Sequence, residues 1–278
     1  MQVKIKKFDL STIKPNRIIL INGRRSSGKS VLAGDLLYHM RDRFDFAMAM
    51  CPTLESSEKM KLWLPSCCVF DRYVHGKVEA LVRLASEITA NKKPRRMLLL
   101  LDDVMYDKSI CRSAAFRYIF YNGRHAHLTV ILLQQYLMDM PPDLRTQVDY
   151  IFTMKENTVQ NRTKLYKMFF GVFATQEDFN AVLERCTQNF ETLVLDNTLQ
   201  VGQPSECVFW YKAKLDNGPF RLCRDVFFQM EEQHRRAVPL ADGLASLDAD
   251  ENKGKRFGPA AKQRLQVTKE DGSDEEER

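Results

Sequence analysis

Residues 23–30, GRRSSGKS, combine glycines, a lysine and a hydroxyl at the spacing of a phosphate-binding loop. Glycine allows the backbone N–H groups of such a loop to turn inward around a triphosphate. Lys29 would neutralise the β and γ oxygens, and the Ser30 hydroxyl would ligate Mg²⁺. We therefore predict a nucleotide-binding site formed by Gly23, Ser26, Ser27, Gly28, Lys29, Ser30 and Val31.

The elements on either side of this loop agree with that chemistry. Residues 17–22 are predominantly apolar and predict a buried strand, whereas residues 31–41 carry apolar side chains at helical spacing. A helix that begins near Lys29 directs its positive end at the same anion. A chance match to the loop pattern is therefore disfavoured.

A second chemical element is the sequence MLLLLDD at residues 97–103. An apolar strand that delivers carboxylates to its tip is typical of a Walker B motif, in which Asp102 would organise Mg²⁺. Asp103 would lie beside the γ-phosphate and accept a proton from the attacking water. The alternative is an ordinary acidic junction between a strand and a turn.

Two glutamines end the apolar run 128–133. If this strand lies between the P-loop strand and the Walker B strand, its terminal amide would approach the γ-phosphate. An amide can accept from the lytic water and donate to phosphate. The pattern alone leaves open whether Gln134 or Gln135 has this role.

Strand and helix patterns alternate through the chain, which predicts an α/β fold. We expect a three-layer α/β/α P-loop NTPase with a mainly parallel central sheet, whose ligands gather at the carboxyl ends of the strands. The predicted ATPase domain covers residues 1–237, with a core at about 15–155 and a C-terminal β/α extension at about 156–237. Residues 238–278 lose all periodicity and predict a disordered, charged tail.

Composition limits the setting of the protein. The tail contains ten acidic and seven basic residues, a net charge of −3, so the remaining 237 residues carry +9 and the whole chain carries +6. A basic globular part is compatible with a polyanionic partner. Seven cysteines without a C-x-x-C pattern favour reduced thiols over a zinc site. No apolar run has transmembrane length, and the first ten residues lack a signal-peptide core.

Several motifs taken together resemble those of one family. They are, in order, GRRSSGKS, LLLLDD, NGRHAHLTVILLQQY, PPDLRTQVDYIF and LVLD followed by CVFWYKA, and they span roughly residues 15–215. This series resembles the genome-packaging ATPases of large nucleocytoplasmic DNA viruses, of the poxvirus type, within the HerA/FtsK branch of P-loop motors. The resemblance implies a ring-forming, ATP-driven translocase that moves double-stranded viral DNA into a capsid.

The resemblance also implies roles for individual residues. Lys29 and Ser30 would bind ATP and Mg²⁺, Asp102 and Asp103 would form Walker B, and Gln135 would be the polar sensor. Many members of this branch carry Glu where this chain has Asp103. Asp107 is therefore an alternative general base, although we favour Asp103.

The resemblance further implies an arginine finger, supplied by a neighbouring subunit. Arg124 precedes the glutamine strand, and Arg145 precedes the strand at residues 149–154. Both are expected near the catalytic edge of the sheet, and we favour Arg124. For either arginine the alternative is a salt bridge within its own chain.

The expected partners are double-stranded DNA, viral capsid or membrane-associated packaging components, and further copies of the chain in a homo-oligomeric ring. The expected location is the viral factory in the host cytoplasm and the virion. Arg95 and Arg96 are candidate DNA contacts, although solvated turn residues are the favoured interpretation. No adenine contact is assigned, because the aromatic strand at 207–212 is expected to belong to the core.

Two other functions are compatible with a P-loop. One is a small-molecule kinase acting on nucleosides or nucleotides, but this chain has no clear signal for an acceptor pocket or an arginine-rich lid. The other is a non-catalytic assembly scaffold with a vestigial ATPase site. The presence of Lys29, Ser30 and Asp102 argues against that second function.

Overall fold

The computed structural model describes residues 4–90, 95–104, 107, 109–135, 140–199 and 201–237. Within these residues the chain forms one nine-stranded sheet. Its strands are β1 (Lys6–Lys7), β2 (Ile18–Asn22), β3 (Phe46–Met50), β4 (Val69–Phe70), β5 (Met97–Asp102), β6 (Leu128–Gln134), β7 (Tyr150–Thr153), β8 (Glu191–Asp196) and β9 (Val208–Lys212).

The order of the strands is β1-β9-β8-β7-β2-β6-β5-β3-β4. Every described strand runs in the same direction except β8, which is antiparallel to both β7 and β9. The prediction of a mainly parallel sheet is therefore confirmed. The strand β6 lies between β2 and β5, which is the arrangement that would bring its terminal amide toward the γ-phosphate.

Helices cover both faces of the sheet. They are α1 (Lys29–Met40), α2 (Leu54–Lys61), α3 (His75–Ala90), α4 (Ala114–Asn122), α5 (Pro142–Arg145), α6 (Val159–Met168), α7 (Gln176–Cys186), α8 (Pro204–Cys207) and α9 (Asp225–Ala237). One core contains side chains of α1 and α2, and the other contains side chains of α3, α4, α6 and α7. Each central strand contributes side chains to both cores, because successive side chains along a strand point to opposite faces of the sheet.

The predicted extension contributes to the same sheet. The strands β8 and β9 pair with each other and join the sheet through β7, so they extend it. The aromatic strand β9 is partly buried, with Tyr211 in the core and Trp210 half-buried against it. The sequence did not predict β1, α2 or α9 as elements.

The chain divides into two compact units, Met1–Gln233 and His234–Arg278. The first unit contains the sheet and the residues predicted to form the site. The predicted disordered tail at 238–278 lies outside the described residues. In the part of the chain that the structure describes, no helix is both long enough and apolar enough to span a membrane.

All seven cysteines are free thiols. Six of them are buried, and Cys67 is exposed. Burial raises the pKa of most of these thiols, with Cys223 at about 11. A buried thiol with a raised pKa is a poor nucleophile at neutral pH.

A candidate nucleotide site at the carboxyl edge of the sheet

The loop between β2 and α1 depends on two glycines. Gly28 caps α1 with φ at +99°, a left-handed conformation that residues with a Cβ atom rarely adopt. At Gly23 a Cβ would lie 2.6 Å from both Met154 Cγ and Ser27 Oγ. Both glycines of the motif are thus required by the backbone, one for its dihedral angle and one for its close packing.

The other predicted loop residues lie around the start of α1. Ser26 has a left-handed φ of 58°, and the Ser27 hydroxyl donates to Arg24 O at 2.8 Å. Ser30 and Val31 are half-buried in the first turn of the helix. The N–H groups of a first helical turn have no intrahelical partner, which makes this turn suitable for an anion.

Lys29 is buried and bends back over the loop. Its Nζ donates to Gly23 O at 2.7 Å and to Arg24 O at 2.9 Å. Burial lowers the pKa of this amine, whereas the charges of Asp103 and Asp102 act in the opposite direction. Both carboxylates at the end of β5 therefore contribute to the electrostatic environment of the P-loop lysine.

Asp102 is the last residue of β5 and is 7% exposed. Burial raises the pKa of its carboxyl group, a hydrogen bond from Ser56 lowers it, the charge of Asp103 raises it, and Lys29 lowers it. The pKa of Asp102 is raised overall, so the neighbouring groups do not fully offset the cost of burying its negative charge. A divalent cation is the kind of ligand that such a carboxylate would favour.

Asp103 follows the strand with a left-handed φ of 54°. Its carboxylate accepts a hydrogen bond from Gln135 N at 3.0 Å, and a second one from Gln135 Nε2. The amide oxygen of Gln135 in turn accepts from Arg25 Nε at 3.1 Å. The three side chains therefore form a chain of hydrogen bonds across the mouth of the site.

Gln134 lies on the other face of the sheet. It shares the alternation of Val130 and Leu132, which pack into the core with α3 and α4, and its side chain is buried. Of the two glutamines, Gln135 is the one whose side chain contacts Asp103. The Gln134 backbone still contributes, because its carbonyl accepts from Gly23 N at 3.0 Å.

Asp107, the alternative base, is exposed and is engaged locally. Its carboxylate accepts from Ser109 N at 2.8 Å and from the Ser109 hydroxyl at 2.7 Å. These bonds lower the pKa of Asp107. They satisfy both of its oxygens without Gln135 or Lys29, which distinguishes it from Asp103.

The expectation that Arg124 and Arg145 lie near the catalytic edge is wrong. Arg124 precedes β6 and Arg145 precedes β7, and both strands run parallel to β2. Residues that precede parallel strands lie at the amino edge, so each arginine is about one strand length, ~20 Å for β6, from its own P-loop. The position of an arginine in the chain shows which elements it joins, whereas the edge of the sheet at which it lies depends on the direction of the strands.

At the amino edge Arg124 has an intrachain partner. Its guanidinium lies 3.1 Å from Asp149 Oδ1, and Arg17 lies 3.3 Å from the same oxygen. Asp149 also accepts from Ile18 N at 2.9 Å. The Arg124 side chain is nevertheless 56% exposed, so it remains accessible to a neighbouring molecule.

Arg95 and Arg96 lie at the same amino edge, just before β5. Arg95 pairs with Asp45 at 3.4 Å, and Arg96 N donates to the same carboxylate at 2.9 Å. Arg224 completes this group at 2.9 Å from Asp45. These contacts give Arg95 and Arg96 an acidic partner within their own chain.

Arg25 is a residue of the site that was not predicted from the sequence. It occupies a variable position of the P-loop pattern, so the motif carries no information about it. A basic side chain beside the loop glycines was the only available signal, and its bond to Gln135 depends on the strand order.

Together these features define a class. A nine-stranded sheet between two helical layers, with a glycine loop, a buried lysine and two adjacent carboxylates at its carboxyl edge, is the P-loop nucleoside triphosphatase fold. The model of the family described as Poxvirus A32 protein matches residues 4–183. The chain belongs to this family, and the predicted resemblance to packaging ATPases of large DNA viruses is confirmed at that level.

Relatives of the chain occur in large DNA viruses. Uncharacterized protein 088R of Invertebrate iridescent virus 3 is 30% identical over 229 residues, which cover 77% of this chain and 87% of that protein. Uncharacterized protein L437 of Acanthamoeba polyphaga mimivirus is 29% identical over 226 residues, covering 76% and 78%.

A solved structure shares the fold. The genome packaging NTPase B204 of Sulfolobus turreted icosahedral virus 2, in complex with AMP, superposes with a TM-score of 0.55 at 18% identity. The match covers 73% of this chain and 100% of that chain. At this level of identity the comparison establishes the architecture.

Proposed function

We propose that this protein is a Mg²⁺-dependent ATPase that drives double-stranded DNA into a viral capsid as a homo-oligomeric ring. The observation that carries the proposal is the convergence of Lys29, Asp102, Asp103 and Gln135 at one edge of the sheet. Membership of the A32 family supports it, as does the fold shared with B204, which is itself called a genome packaging NTPase.

Within the proposal, Lys29 exchanges two carbonyl partners for phosphate oxygens. The carbonyls of Gly23 and Arg24 hold its amine beside the loop, so little movement is needed when a triphosphate binds. Ser30 and Asp102 are the residues that would hold Mg²⁺, which would supply positive charge for the β and γ oxygens. The burial of Asp102 supports this assignment, because an under-compensated carboxylate gains from a cation.

Asp103 and Gln135 act on the attacking water. Asp103 accepts the proton of that water, and Gln135 orients it while its amide oxygen remains paired with Arg25. In the structure Gln135 donates two hydrogen bonds to the Asp103 carboxylate, one from its backbone N–H and one from its side-chain amide. The base becomes available when that side chain turns toward the γ-phosphate, which would link water activation to nucleotide binding.

We propose that Arg124 completes the site of a neighbouring subunit. Its position at the amino edge is incompatible with a role in its own site and compatible with insertion into another. Its ion pair with Asp149 would hold the side chain until assembly, and its exposure would allow exchange. Arg145, which is half-buried at the end of α5, is the second choice.

The proposed substrate of the motor is DNA of any sequence, held through its phosphates. The net charge of +9 on residues 1–237 supports a polyanionic partner. Capsid or membrane-associated packaging components would anchor the ring, and the viral factory and virion are the proposed locations. Family membership supports this setting.

One experiment separates the proposal from its two rivals. Phosphate release from ATP is measured for the full chain with Mg²⁺, with and without double-stranded DNA, alongside a screen for phosphorylated small molecules. We expect DNA-stimulated phosphate release that falls by at least about a hundredfold in Lys29→Ala, because the transferring phosphoryl group loses its counter-charge.

Each rival predicts a different result. A kinase would transfer phosphate to an acceptor instead of water. A scaffold with a vestigial site would release none, and Lys29→Ala would then change nothing. Circular dichroism of Lys29→Ala is the control for folding.

A further inference from the structure

An aromatic side chain lies over the P-loop without belonging to the core. Phe190 is 71% exposed, yet its Cδ1 atom is 3.5 Å from the position that a Cβ of Gly28 would occupy. It immediately precedes β8, which begins at Glu191. Because β8 is antiparallel to β7, the start of β8 lies at the same edge of the sheet as the end of β2.

The backbone at this position is strained. Asn189 and Phe190 have consecutive left-handed φ values of 51° and 62°, and Glu191 N donates to Gln188 O at 2.8 Å. These are the features of a tight turn whose third position favours glycine, since a bulky residue with positive φ is an outlier. A phenylalanine kept in such a conformation suggests that its ring is used there.

The turn is fixed by its neighbours, so the ring has a defined position. The Thr187 hydroxyl donates to Leu183 O at 2.6 Å, and Gln188 Nε2 donates to Glu184 O at 2.7 Å. On the other side of the turn, the Thr192 hydroxyl donates to Thr153 O at 3.0 Å and ties β8 to β7. A rigid support of this kind lowers the entropic cost of presenting an aromatic face to a ligand.

The order of the strands decides which part of a nucleotide reaches Phe190. Asp102, Asp103 and Gln135 mark the γ-phosphate side, on β5 and β6. The turn at Phe190 lies on the other side of β2, beyond β7. A nucleotide whose phosphates lie on the loop with the γ-phosphate toward β5 must therefore extend its sugar and base toward β7 and β8.

We propose that the ring of Phe190 is the stacking surface for the base of the bound nucleoside triphosphate. This inference rests on the proposed nucleotide binding and supplies the base contact that the sequence pattern did not assign. Stacking uses the face of a base and not its edge. Phe190 therefore contributes affinity for nucleotides in general, without selecting adenine over guanine.

The test compares ATP with inorganic tripolyphosphate, which has the phosphates and no base. Binding of each to the full chain is measured by calorimetry for the wild type and for Phe190→Ala, Phe190→Leu and Phe190→Trp. We expect Phe190→Ala and Phe190→Leu to weaken ATP binding roughly tenfold and to leave tripolyphosphate binding unchanged. Phe190→Trp should retain ATP binding and show indole quenching, with the wild type, which contains Trp63 and Trp210, as the background.

Two results would overturn the inference while leaving the proposed ATPase intact. One is a wild-type affinity for ATP in Phe190→Ala. The other is an equal loss of ATP and tripolyphosphate binding, which would mean that the ring only supports the loop. A wild-type chain that binds neither ligand would instead overturn the nucleotide site and this inference with it.

A glycine variant separates ligand binding from stability. Phe190→Gly removes the strain of a positive φ as well as the ring, so its melting temperature should be equal to or above that of Phe190→Ala. Its ATP affinity should nevertheless fall as in Phe190→Ala. An ATP affinity restored by glycine would show that the backbone, and not the ring, is what the nucleotide requires, and would reject the proposal.

Discussion

Two consecutive aspartates have different environments in this site. Asp102 ends a buried strand, where burial raises the pKa of its carboxyl group and the charge of Lys29 acts in the opposite direction. Asp103 adopts a left-handed φ and accepts a hydrogen bond from Gln135. The left-handed backbone at Asp103 keeps both carboxylates within electrostatic reach of Lys29, because a continued strand would have sent the second carboxylate to the opposite face of the sheet. Their substitutions should therefore have separable consequences.

Asp102→Asn should stabilise the fold while weakening Mg²⁺-nucleotide binding. The folded pKa of Asp102 is raised, so its ionisation opposes folding once the pH exceeds the unfolded pKa of about 4. The variant should melt at a higher temperature than the wild type at pH 7, and this difference should shrink as the pH falls toward 4. Thermal melts without nucleotide across this range measure the effect, and a variant less stable at pH 7 would contradict it.

Asp103→Asn should bind ATP normally and fail to hydrolyse it. The substitution preserves shape and removes the proton acceptor, so phosphate release should fall by roughly a hundredfold or more. Asp107→Asn is the matched control, because Asp107 is exposed and bonded to Ser109. Normal turnover in Asp103→Asn together with loss in Asp107→Asn would transfer the role of base to Asp107.

At the scale of elements, a buried carboxylate joins the P-loop helix to the C-terminal extension. Asp35 of α1 is 1% exposed and accepts from Tyr211 Oη at 2.6 Å, Lys214 N at 3.0 Å and Asn217 Nδ2 at 2.9 Å. Tyr211 belongs to β9. The extension is therefore bonded to the element that carries Lys29, and is more than an addition to one edge of the sheet.

Asp35→Ala should destabilise the protein by roughly 3 kcal/mol, because it leaves the buried Tyr211 hydroxyl and two partly buried donors without their acceptor. Tyr211→Phe removes one donor and should cost about 1 kcal/mol. Urea denaturation of both variants measures the difference in the free energy of unfolding. Equal costs for the two substitutions would show that Asp35 is not the shared acceptor that stabilises this junction.

At the scale of the whole molecule, the P-loop and Arg124 lie at opposite ends of the sheet. A subunit can therefore offer its arginine to one neighbour while it receives one from another, and such a head-to-tail contact closes into a ring when the rotation between subunits permits. Hydrolysis would then require assembly.

Mixing two inactive variants tests this arrangement. Arg124→Ala subunits keep an intact P-loop, and Lys29→Ala subunits keep an intact Arg124. Some mixed interfaces combine both, so ATPase activity should partly return on mixing. If mixed oligomers form and no mixing ratio restores activity, Arg124 is not a finger acting between subunits, and Arg145 is tested next in the same way.

The local part of the site was predictable from the sequence alone. Strand, glycine loop and helix are adjacent in the chain, so the placement of Gly23, Gly28 and Lys29 from the end of β2 to the start of α1 follows from short-range spacing. The apolar run that ends at Asp102 and Asp103 likewise specifies its own strand. Alternating strand and helix patterns were sufficient for a mainly parallel sheet, because parallel strands require crossover helices.

The tertiary structure decided whatever depends on the face or the end of a strand. The strand pattern alone does not distinguish Gln134 from Gln135, and the packing of Val130 and Leu132 into one core shows which face Gln134 takes, while Gln135 bonds to Asp103. The family motifs give the position of Arg124 in the chain, but the edge of the sheet at which it lies is known only once β6 is paired with β2. Phe190 is about 160 residues from Gly28, and no spacing rule joins them; the antiparallel turn of β8 brings its ring to the loop.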